Sequence, residues 1–451
     1  MVDVIAIFDI GKTNKKVLLF NQELKVVFQE EQFFEEIKDD DDFPCDDVEK
    51  IEKWMFDSIH NFNIENEFNI KAVNFATYGA SQLYIDVNGK RLTPVYNYLK
   101  PMPPKILDDF YRNYGGVEEF SRKTASPASG MLNSGLQIIW LKNEKPEIFS
   151  KIHSILYFPQ YLSYCFTGKI VSEYTYIGCH SSVWDFDKMN FHQWLSDYQI
   201  KLPDPVPNDT AFTVSIDQKN IKTGVGIHDS SASLVPYLTA DKHPFVLMST
   251  GTWCVCMNSF NDEPLTTEQL RNDALCFLSV QQKPVKSSRL FLGHIHHVNA
   301  KNIASFFGVE ESFFKSLKFE DLKYIDQNSE KLFFKEGIPF NYLDENVELE
   351  NFRSAQEAYR QLMVDLTKLA MDSLNLILSK NDTTKSIYIS GGFARNEIFV
   401  RLIASWLPKK KVYTSEMDNS TALGSAVVVY EKAFGGIAPK ADLELKEIVP
   451  Y

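Results

Sequence analysis

The run Gly224-Val225-Gly226-Ile227-His228-Asp229-Ser230-Ser231-Ala232 places one carboxylate among glycines and small residues. Three further glycine-bearing segments are spread along the chain: Asp9-Ile10-Gly11-Lys12-Thr13-Asn14, Ser249-Thr250-Gly251-Thr252 and Gly391-Gly392-Phe393-Ala394-Arg395-Asn396. Together they supply two turns that can cradle phosphates, one turn that can receive a nucleoside and one carboxylate that can accept a proton. Phosphoryl transfer from a nucleotide to a hydroxyl needs that set of parts.

The composition indicates an acidic protein with sizeable cores. The chain has 451 residues, which favours about two or three domains, and 44% of them are apolar. Its formal net charge is -13, and no basic block is present. These features argue against nucleic acid or an anionic membrane as a partner. An anionic nucleotide must therefore be attracted by local groups.

Cysteine usage and the first residues predict a cytoplasmic protein. The six cysteines are scattered without a CxxC pair, which is typical of reduced thiols. The first residues lack a basic segment and read as a strand, so no signal peptide is expected. No apolar stretch reaches the roughly 18 residues of a membrane span. We expect a small-molecule partner, with a monomer and a homodimer both left open.

The two halves of the chain share one layout. An apolar run, a glycine turn and a second apolar run occupy residues 4–20, and the same order recurs at residues 245–257. The pattern breaks at residues 242–244, which predicts domains at 1–244 and 245–451. Duplicated hairpin-plus-helix halves predict an α/β nucleotide-binding protein with a cleft between its domains.

The first glycine turn has the composition of a phosphate-binding loop. Gly11 permits close approach of backbone N–H groups to a polyphosphate, and Lys12, Lys15 and Lys16 supply local positive charge. Asp9 ends the preceding strand and could hold Mg²⁺, partly through water. The candidate phosphate ligands are Gly11, Lys12, Thr13, Asn14 and Lys15. An ordinary hairpin turn with solvated lysines is the alternative interpretation.

The other two turns also permit two interpretations. Gly251 and Thr252 follow a strand and could surround a phosphate with N–H and O–H donors, or form only a tight turn. Gly391, Gly392 and Phe393 lie between a strand and a helix, where bare backbone could receive a flat adenine ring. The alternative for this segment is a helix entry that needs unusual dihedral angles.

Asp229 is the candidate general base. A sugar hydroxyl is a poor nucleophile until a carboxylate accepts its proton, and the small neighbours of Asp229 leave room for a ligand. The alternative is an aspartate that caps a helix beginning at Ser230. His228 could orient a hydroxyl or could be a hydrogen-bonded structural histidine.

Three other features are not predicted to bind a metal or to react. The histidines of Gly293-His294-Ile295-His296-His297 lack a matching cysteine or carboxylate cluster. Residues 39–42 are four consecutive aspartates, which most often form a solvated loop. Cys254 and Cys256 alternate along a strand, so packing is the default interpretation.

Taken in order, the four glycine segments resemble those of the FGGY family of carbohydrate kinases, which has an actin-like, ribonuclease-H-like fold. The resemblance covers essentially the whole chain. It also includes Ala422-Leu423-Gly424-Ser425-Ala426 and the stretch from Tyr161 to Gly168. It implies transfer of the γ-phosphoryl group of ATP to a sugar or polyol hydroxyl. Asp229 then corresponds to the base, Asp9 to the carboxylate near Mg²⁺ and Asn396 to the adenosine motif.

The resemblance also suggests a substrate class. Ala76-Thr77-Tyr78-Gly79 is similar to L-fuculose kinases, and His228 to Ala232 is closer to L-rhamnulose kinases. Both act on 6-deoxy ketohexoses, so we expect Tyr78, Gly79, Gln160, His228 and Asp229 to contact such a sugar. Gln160 stands where the family frequently has aspartate, which predicts altered specificity. A xylulose- or ribulose-type pentulose kinase, a non-catalytic sugar-responsive regulator and an ATPase acting on protein are the alternatives.

Overall fold

The computed structural model describes residues 1–65, 67–317, 333–334 and 348–450. Two large sheets, one from each half of the sequence, form the framework. Within the described ranges, no helix is long and apolar enough to cross a membrane.

The first half of the chain is built from many strands and helices, most of which are short. The strands are β1 Val2–Ile10, β2 Lys15–Asn21, β3 Val26–Gln32, β4 Ile37–Lys38, β5 Pro44–Cys45, β6 Phe68–Thr77, β7 Gln82–Ile85, β8 Ser154–Tyr157, β9 Ser172–Glu173, β10 Trp184–Asp185, β11 Asn190–Phe191, β12 Pro205–Val206, β13 Ala211–Ile216, β14 Lys219–Gly224 and β15 Ile227–His228. The helices are α1 Val48–Glu65, α2 Pro104–Arg112, α3 Gly116–Thr124, α4 Ser134–Glu144, α5 Pro146–Phe149, α6 Phe158–Thr167, α7 Tyr174–Ile177, α8 Trp194–Asp197 and α9 Asp229–Ala240.

The described elements of the second half are fewer. The strands are β16 Phe245–Thr250, β17 Cys254–Asn258, β18 Ala274–Leu278, β19 Pro284–Leu290, β20 Ser386–Gly391, β21 Lys411–Ser415 and β22 Leu445–Glu447. The helices are α10 Thr267–Arg271, α11 Leu292–Phe307, α12 Ala355–Leu376, α13 Glu397–Trp406 and α14 Ser420–Phe434.

The two sheets repeat one pairing scheme. In the first sheet, β1 pairs antiparallel with β2 and parallel with β6, and β2 continues to β3. In the second sheet, β16 pairs antiparallel with β17 and parallel with β20, and β17 continues to β19. The duplicated α/β layout predicted from the sequence is confirmed. Each large sheet uses residues from one side of position 244 only, while the domain boundary itself stays a prediction.

Strand burial explains why these segments form the sheet centres. Residues 4–8 of β1 and 245–248 of β16 are apolar and buried without alternation. A strand covered on both faces requires such a run. In the first sheet, α1 and α6 contact β6, and α14 packs against β1 and β6.

The contact between α14 and α9 joins the second half of the chain to the first. Gly424 of α14 faces the backbone of α9, where a Cβ atom would overlap the carbonyl oxygen of Ala232. A residue without a side chain is therefore required for this close crossing. Helix α14 of the second half thus fixes the helix that begins at Asp229.

Helix α9 begins at Asp229, whereas the interpretation of Asp229 as a helix cap required the helix to begin at Ser230. His228 is the N-cap residue, and Asp229 is the first residue of the helix. The Asp229 carboxylate accepts a hydrogen bond from the N–H of Ser230 at 2.5 Å. Its position in the first turn places the negative charge at the positive end of the helix dipole.

Candidate active site

Three parallel strands bring the first set of predicted residues together. Ile10 of β1 and His228 of β15 both lie opposite Thr77 of β6. The carboxyl ends of parallel strands form one edge of a sheet, where ligands bind in open α/β sheets. This edge carries Asp9, Tyr78 and Asp229.

The two aspartates share a poorly solvated region. Burial raises the pKa of Asp9 to about 7, with a further increase from the negative charge of Asp229. Burial also raises the pKa of Asp229 to about 6, although hydrogen bonds from Ser230 oppose the rise. The Asp229 side chain is 34% exposed to solvent. It is therefore an accessible carboxylate that can take up a proton near neutral pH.

The lysines that follow the first turn point to different sides of β2. Lys16 lies opposite Asp9 in the β1–β2 ladder, and its charge lowers the pKa of Asp9. Lys15 is 1% exposed, and its ammonium group lies 2.8 Å from Asp46. Because strand side chains alternate between faces, Lys16 is the strand lysine on the side of Asp9. The sequence pattern places Lys12 and Lys15 among the candidate phosphate ligands and leaves Lys16 out of that set.

Asp46 organises the base of this turn and was not singled out from the sequence. Its carboxylate accepts hydrogen bonds from Lys12 at 2.8 Å, from Lys15 at 2.8 Å and from the Tyr78 hydroxyl at 2.6 Å. Burial by itself would raise the pKa of Asp46, but the two lysine charges hold it below its ordinary value. Lys12 also contacts Glu36 at 2.7 Å. Lys12, Lys15 and Tyr78 are thus tied to one buried anion.

His228 is surrounded by protein groups. Its Nε2 lies 3.0 Å from Sγ of Cys179 and 3.1 Å from Oδ1 of Asp229, and its side chain is 5% exposed. Burial lowers the pKa of His228 to about 3, so the ring is neutral. Nδ1 lies 3.3 Å from the Ser231 hydroxyl. The geometry matches the structural alternative, in which the imidazole supports Asp229.

Gln160 and Asn74 hold the turn that precedes Asp229. Nε2 of the buried Gln160 donates to the carbonyl oxygens of Val225 at 3.1 Å and Gly226 at 3.2 Å. Oδ1 of Asn74 accepts from the N–H of Gly226, while its Nδ2 donates to the carbonyl of Ser425 in α14. Gln160 is therefore a buried side chain that fixes the backbone preceding Asp229, and its contact with the sugar stays a prediction.

The second half contributes two adjoining turns. The turn between β16 and β17 contains Gly251 and Thr252, both exposed. The Thr250 hydroxyl donates to the carbonyl of Ser390 and accepts from the N–H of Phe393. Gly391 has φ +83°, and a Cβ there would overlap the carbonyl oxygen of Thr250. The second and third glycine segments are therefore neighbours.

A cavity of about 1070 Å³ opens beside the third glycine segment. Its volume is ample for a nucleoside. The lining includes Gly392 and Asn396, and also His296, His297 and Tyr359. Phe393 packs beneath it against the His296 ring, with 5.3 Å between centroids. The side chain of Asn396 also caps α13 by accepting from the N–H of Phe399.

The histidine and aspartate clusters set aside in the sequence have different environments. His296 and His297 line the cavity, so their position on α11 places them near the predicted nucleoside site. Asp39, Asp40 and Asp41 are the one group in the described ranges with ligand atoms close enough for a metal ion. Lys100 and Lys145 form ion pairs with them. The two lysines partly offset the three negative charges, and Asp40, Asp41 and Asp42 are exposed, as expected of a solvated loop.

The geometry agrees with comparisons to known proteins. A relative named rhamnulokinase, from Oceanobacillus iheyensis, is 21% identical over 93% of this chain and 91% of its own length. A carbohydrate kinase from Novosphingobium aromaticivorans superimposes with a TM-score of 0.80 at 22% identity, covering 100% of this chain and 94% of its own. A xylulose kinase from Lactobacillus acidophilus also gives a TM-score of 0.80, at 16% identity and the same coverage. These superpositions confirm the predicted two-domain, actin-like fold.

Models of one family match both halves of the chain. The N-terminal domain of the FGGY family of carbohydrate kinases matches residues 4–203, and its C-terminal domain matches residues 352–430. The matched segments make up more than half of the sequence, in the order expected from the glycine motifs. The protein is thus an ATP-dependent phosphotransferase with a sugar hydroxyl as acceptor, and the chain belongs to the FGGY family of carbohydrate kinases.

Proposed function

We propose that the chain is a ketose kinase whose acceptor is a 6-deoxy ketohexose of the L-rhamnulose or L-fuculose type. The observation that carries the proposal is the accessible Asp229 carboxylate at the sheet edge shared with Asp9. The rhamnulokinase relative spans nearly the whole chain and supports the sugar class. A cytoplasmic location suits a chain whose six cysteines are free thiols.

Asp229 acts as the general base. With a pKa of about 6 it is ionised at neutral pH, yet basic enough to take the proton of the reacting hydroxyl as the phosphoryl group arrives. His228 Nε2 and the Ser230 N–H both contact Oδ1 of the carboxylate and so fix its orientation. Gln160 fixes the preceding turn, and Gly79 lies on the sugar side. The buried Tyr78 supports the site through its hydrogen bond to Asp46.

Asp9 suits a divalent cation. Two partly buried carboxylates with raised pKa values favour a compensating positive charge, and oxygen ligands of this type suit Mg²⁺. When bound, Mg²⁺ would neutralise charge on the phosphates. Lys16 supplies a second positive charge on the same face of the sheet.

The remaining turns receive the nucleotide. Gly11, Thr13 and Asn14 present donors from the first half, while Gly251 and Thr252 present them from the second. The adenosine portion occupies the cavity next to Gly392 and Asn396, above Phe393. Lys12 and Lys15 support the first turn through Asp46. Closure of the predicted domains, 1–244 and 245–451, would then exclude water from the reacting groups.

The decisive experiment is ADP release in the presence of Mg²⁺ against a panel of free sugars. The panel contains L-rhamnulose, L-fuculose, D- and L-xylulose, L-ribulose and glycerol. We expect a 6-deoxy ketohexose to give the highest kcat/KM. If a pentulose is preferred, the proposed substrate class is wrong, but the phosphoryl-transfer reaction still holds. ATP binding without stimulation by any sugar would favour the regulator alternative, which the retention of both Asp9 and Asp229 argues against.

Lys16 and Lys15 form a matched pair for testing the phosphate site. We expect Lys16→Met to lower kcat about tenfold while leaving thermal stability unchanged, because it removes a cation from the phosphate face. Lys15→Met should instead destabilise the fold by about 2 kcal/mol, because it removes a buried ion pair with Asp46. Steady-state kinetics and urea unfolding separate the two effects. Full activity of Lys16→Met would exclude the assigned role.

A further inference from the structure

Gly79 lies at a point where three heteroatoms of other segments meet. A Cβ placed on Gly79 would be 3.1 Å from Sγ of Cys179, 3.3 Å from Nε2 of His180 and 3.3 Å from Nε2 of His228. Both imidazoles therefore face the same small region beside the predicted sugar site. The absence of a side chain at Gly79 lets the three heteroatoms approach its backbone closely, since a Cβ there would crowd all of them.

The orientation of His180 is fixed by the surrounding backbone. Its Nδ1 lies 3.1 Å from the carbonyl oxygen of Leu132, which can only accept, so Nδ1 carries the proton. Its own carbonyl oxygen accepts from Nδ2 of Asn133 at 2.9 Å. The residue has φ +33°, which a non-glycine residue rarely adopts. Such backbone strain persists where neighbours over-determine it and concentrates at ligand sites.

The two imidazoles differ in what their Nε2 atoms meet. Nε2 of His228 is engaged by Cys179 and Asp229. His180 is only partly buried, and its Nε2 has no hydrogen-bond partner in the described part of the chain. Burial, followed by the charge of Arg289, lowers the pKa of His180 to about 3. The ring is therefore neutral, and Nε2 presents a lone pair.

We propose that Nε2 of His180 accepts a hydrogen bond from a second hydroxyl of the bound sugar, close along the carbon chain to the hydroxyl that Asp229 deprotonates. This inference rests on the proposed function and names a specificity residue within that site. His228 links the two positions, since its Nε2 contacts Asp229 and lies close to Gly79, as Nε2 of His180 does. A buried acceptor left unpaired disfavours an analogue that lacks the hydroxyl.

The test compares His180→Phe with the unmodified enzyme on the best sugar of the panel and on its monodeoxy analogues. Phenylalanine keeps a planar ring but cannot accept a hydrogen bond. His180→Gly is the second variant, because glycine tolerates the positive φ and cannot fail through backbone strain. His153→Phe, at an exposed position away from the site, is the matched control. Sugar binding is measured by calorimetry beside ADP release.

We expect both His180 variants to raise KM for the sugar about fivefold to tenfold, with kcat largely kept. One monodeoxy analogue should bind to the unmodified enzyme about fivefold to tenfold more weakly than the full sugar. In His180→Phe, this difference in affinity between the analogue and the full sugar should vanish. An unchanged deoxy profile in folded His180 variants would overturn the proposal. Sugar binding without phosphorylation would refute the ketose kinase assignment. The affinities of the monodeoxy analogues would still test the role of His180. No sugar binding at all would overturn both.

Discussion

Replacing Asp229 by asparagine should abolish sugar phosphorylation, with kcat falling about 1000-fold, while ATP still binds. Asparagine has the same shape and can accept the hydrogen bond from Ser230, but it cannot take up a proton. The nucleotide turns and the cavity beside Gly392 lie on other segments. The variant should therefore separate binding from transfer.

The same substitution should not destabilise the fold. The folded-state pKa of Asp229 is raised to about 6, so ionisation of this group opposes folding at pH values above its unfolded pKa. A neutral asparagine removes that penalty and also removes the charge that raises the pKa of Asp9. We expect an unchanged or slightly higher Tm at neutral pH.

Single-turnover phosphorylation and ATP titration calorimetry measure the two expectations for Asp229→Asn. Asp108→Asn, at an exposed position on α2, is the matched control and should behave as the unmodified protein. Residual turnover within tenfold of the unmodified enzyme would remove Asp229 from the role of base. Loss of ATP binding together with turnover would instead indicate a structural role.

The glycine segments were sufficient to predict the architecture. A strand followed by a glycine turn, repeated in both halves, already implies two sheets whose ends face a common cleft. Asp9 and Asp229 are far apart in sequence, yet parallel pairing with β6 predicts that their strand ends meet. The fold was thus predictable from the ordered segments and the family resemblance that they carry, while the role of Asp229 as the base stays a prediction.

Side-chain partners were less accessible. Lys15 and Lys16 are adjacent and equally charged, and only the register of the β1–β2 hairpin shows that Lys16 faces Asp9. Strict alternation counted from Asp9 through the turn would have selected Lys15 instead, because the register pairs an odd-numbered residue with an even-numbered one. Asp46 and His180 gave no comparable signal, because their roles depend on contacts with Lys15 and Gly79 across long sequence separations.

Gly251→Val should weaken ATP binding by at least about 100-fold, equivalent to about 2.7 kcal/mol, without destabilising the fold. Gly251 is exposed and does not have a positive φ. A Cβ added there would meet only the carbonyl oxygen of Trp253, at 4.0 Å. The protein itself therefore tolerates a side chain here. A branched side chain would instead fill the space that the proposed site gives to a phosphate.

Two further glycine variants turn this expectation into a graded test. Gly251→Ala adds one methyl group and should weaken ATP binding by a smaller factor than valine. Gly391→Val should lower Tm sharply, because φ is +83° and a Cβ would overlap the carbonyl oxygen of Thr250. Calorimetric ATP titration and thermal unfolding without ligand distinguish a blocked site from a damaged fold. Unchanged ATP affinity in a folded Gly251→Val protein would show that no phosphate approaches this turn, because a phosphate and the valine side chain cannot occupy the same volume.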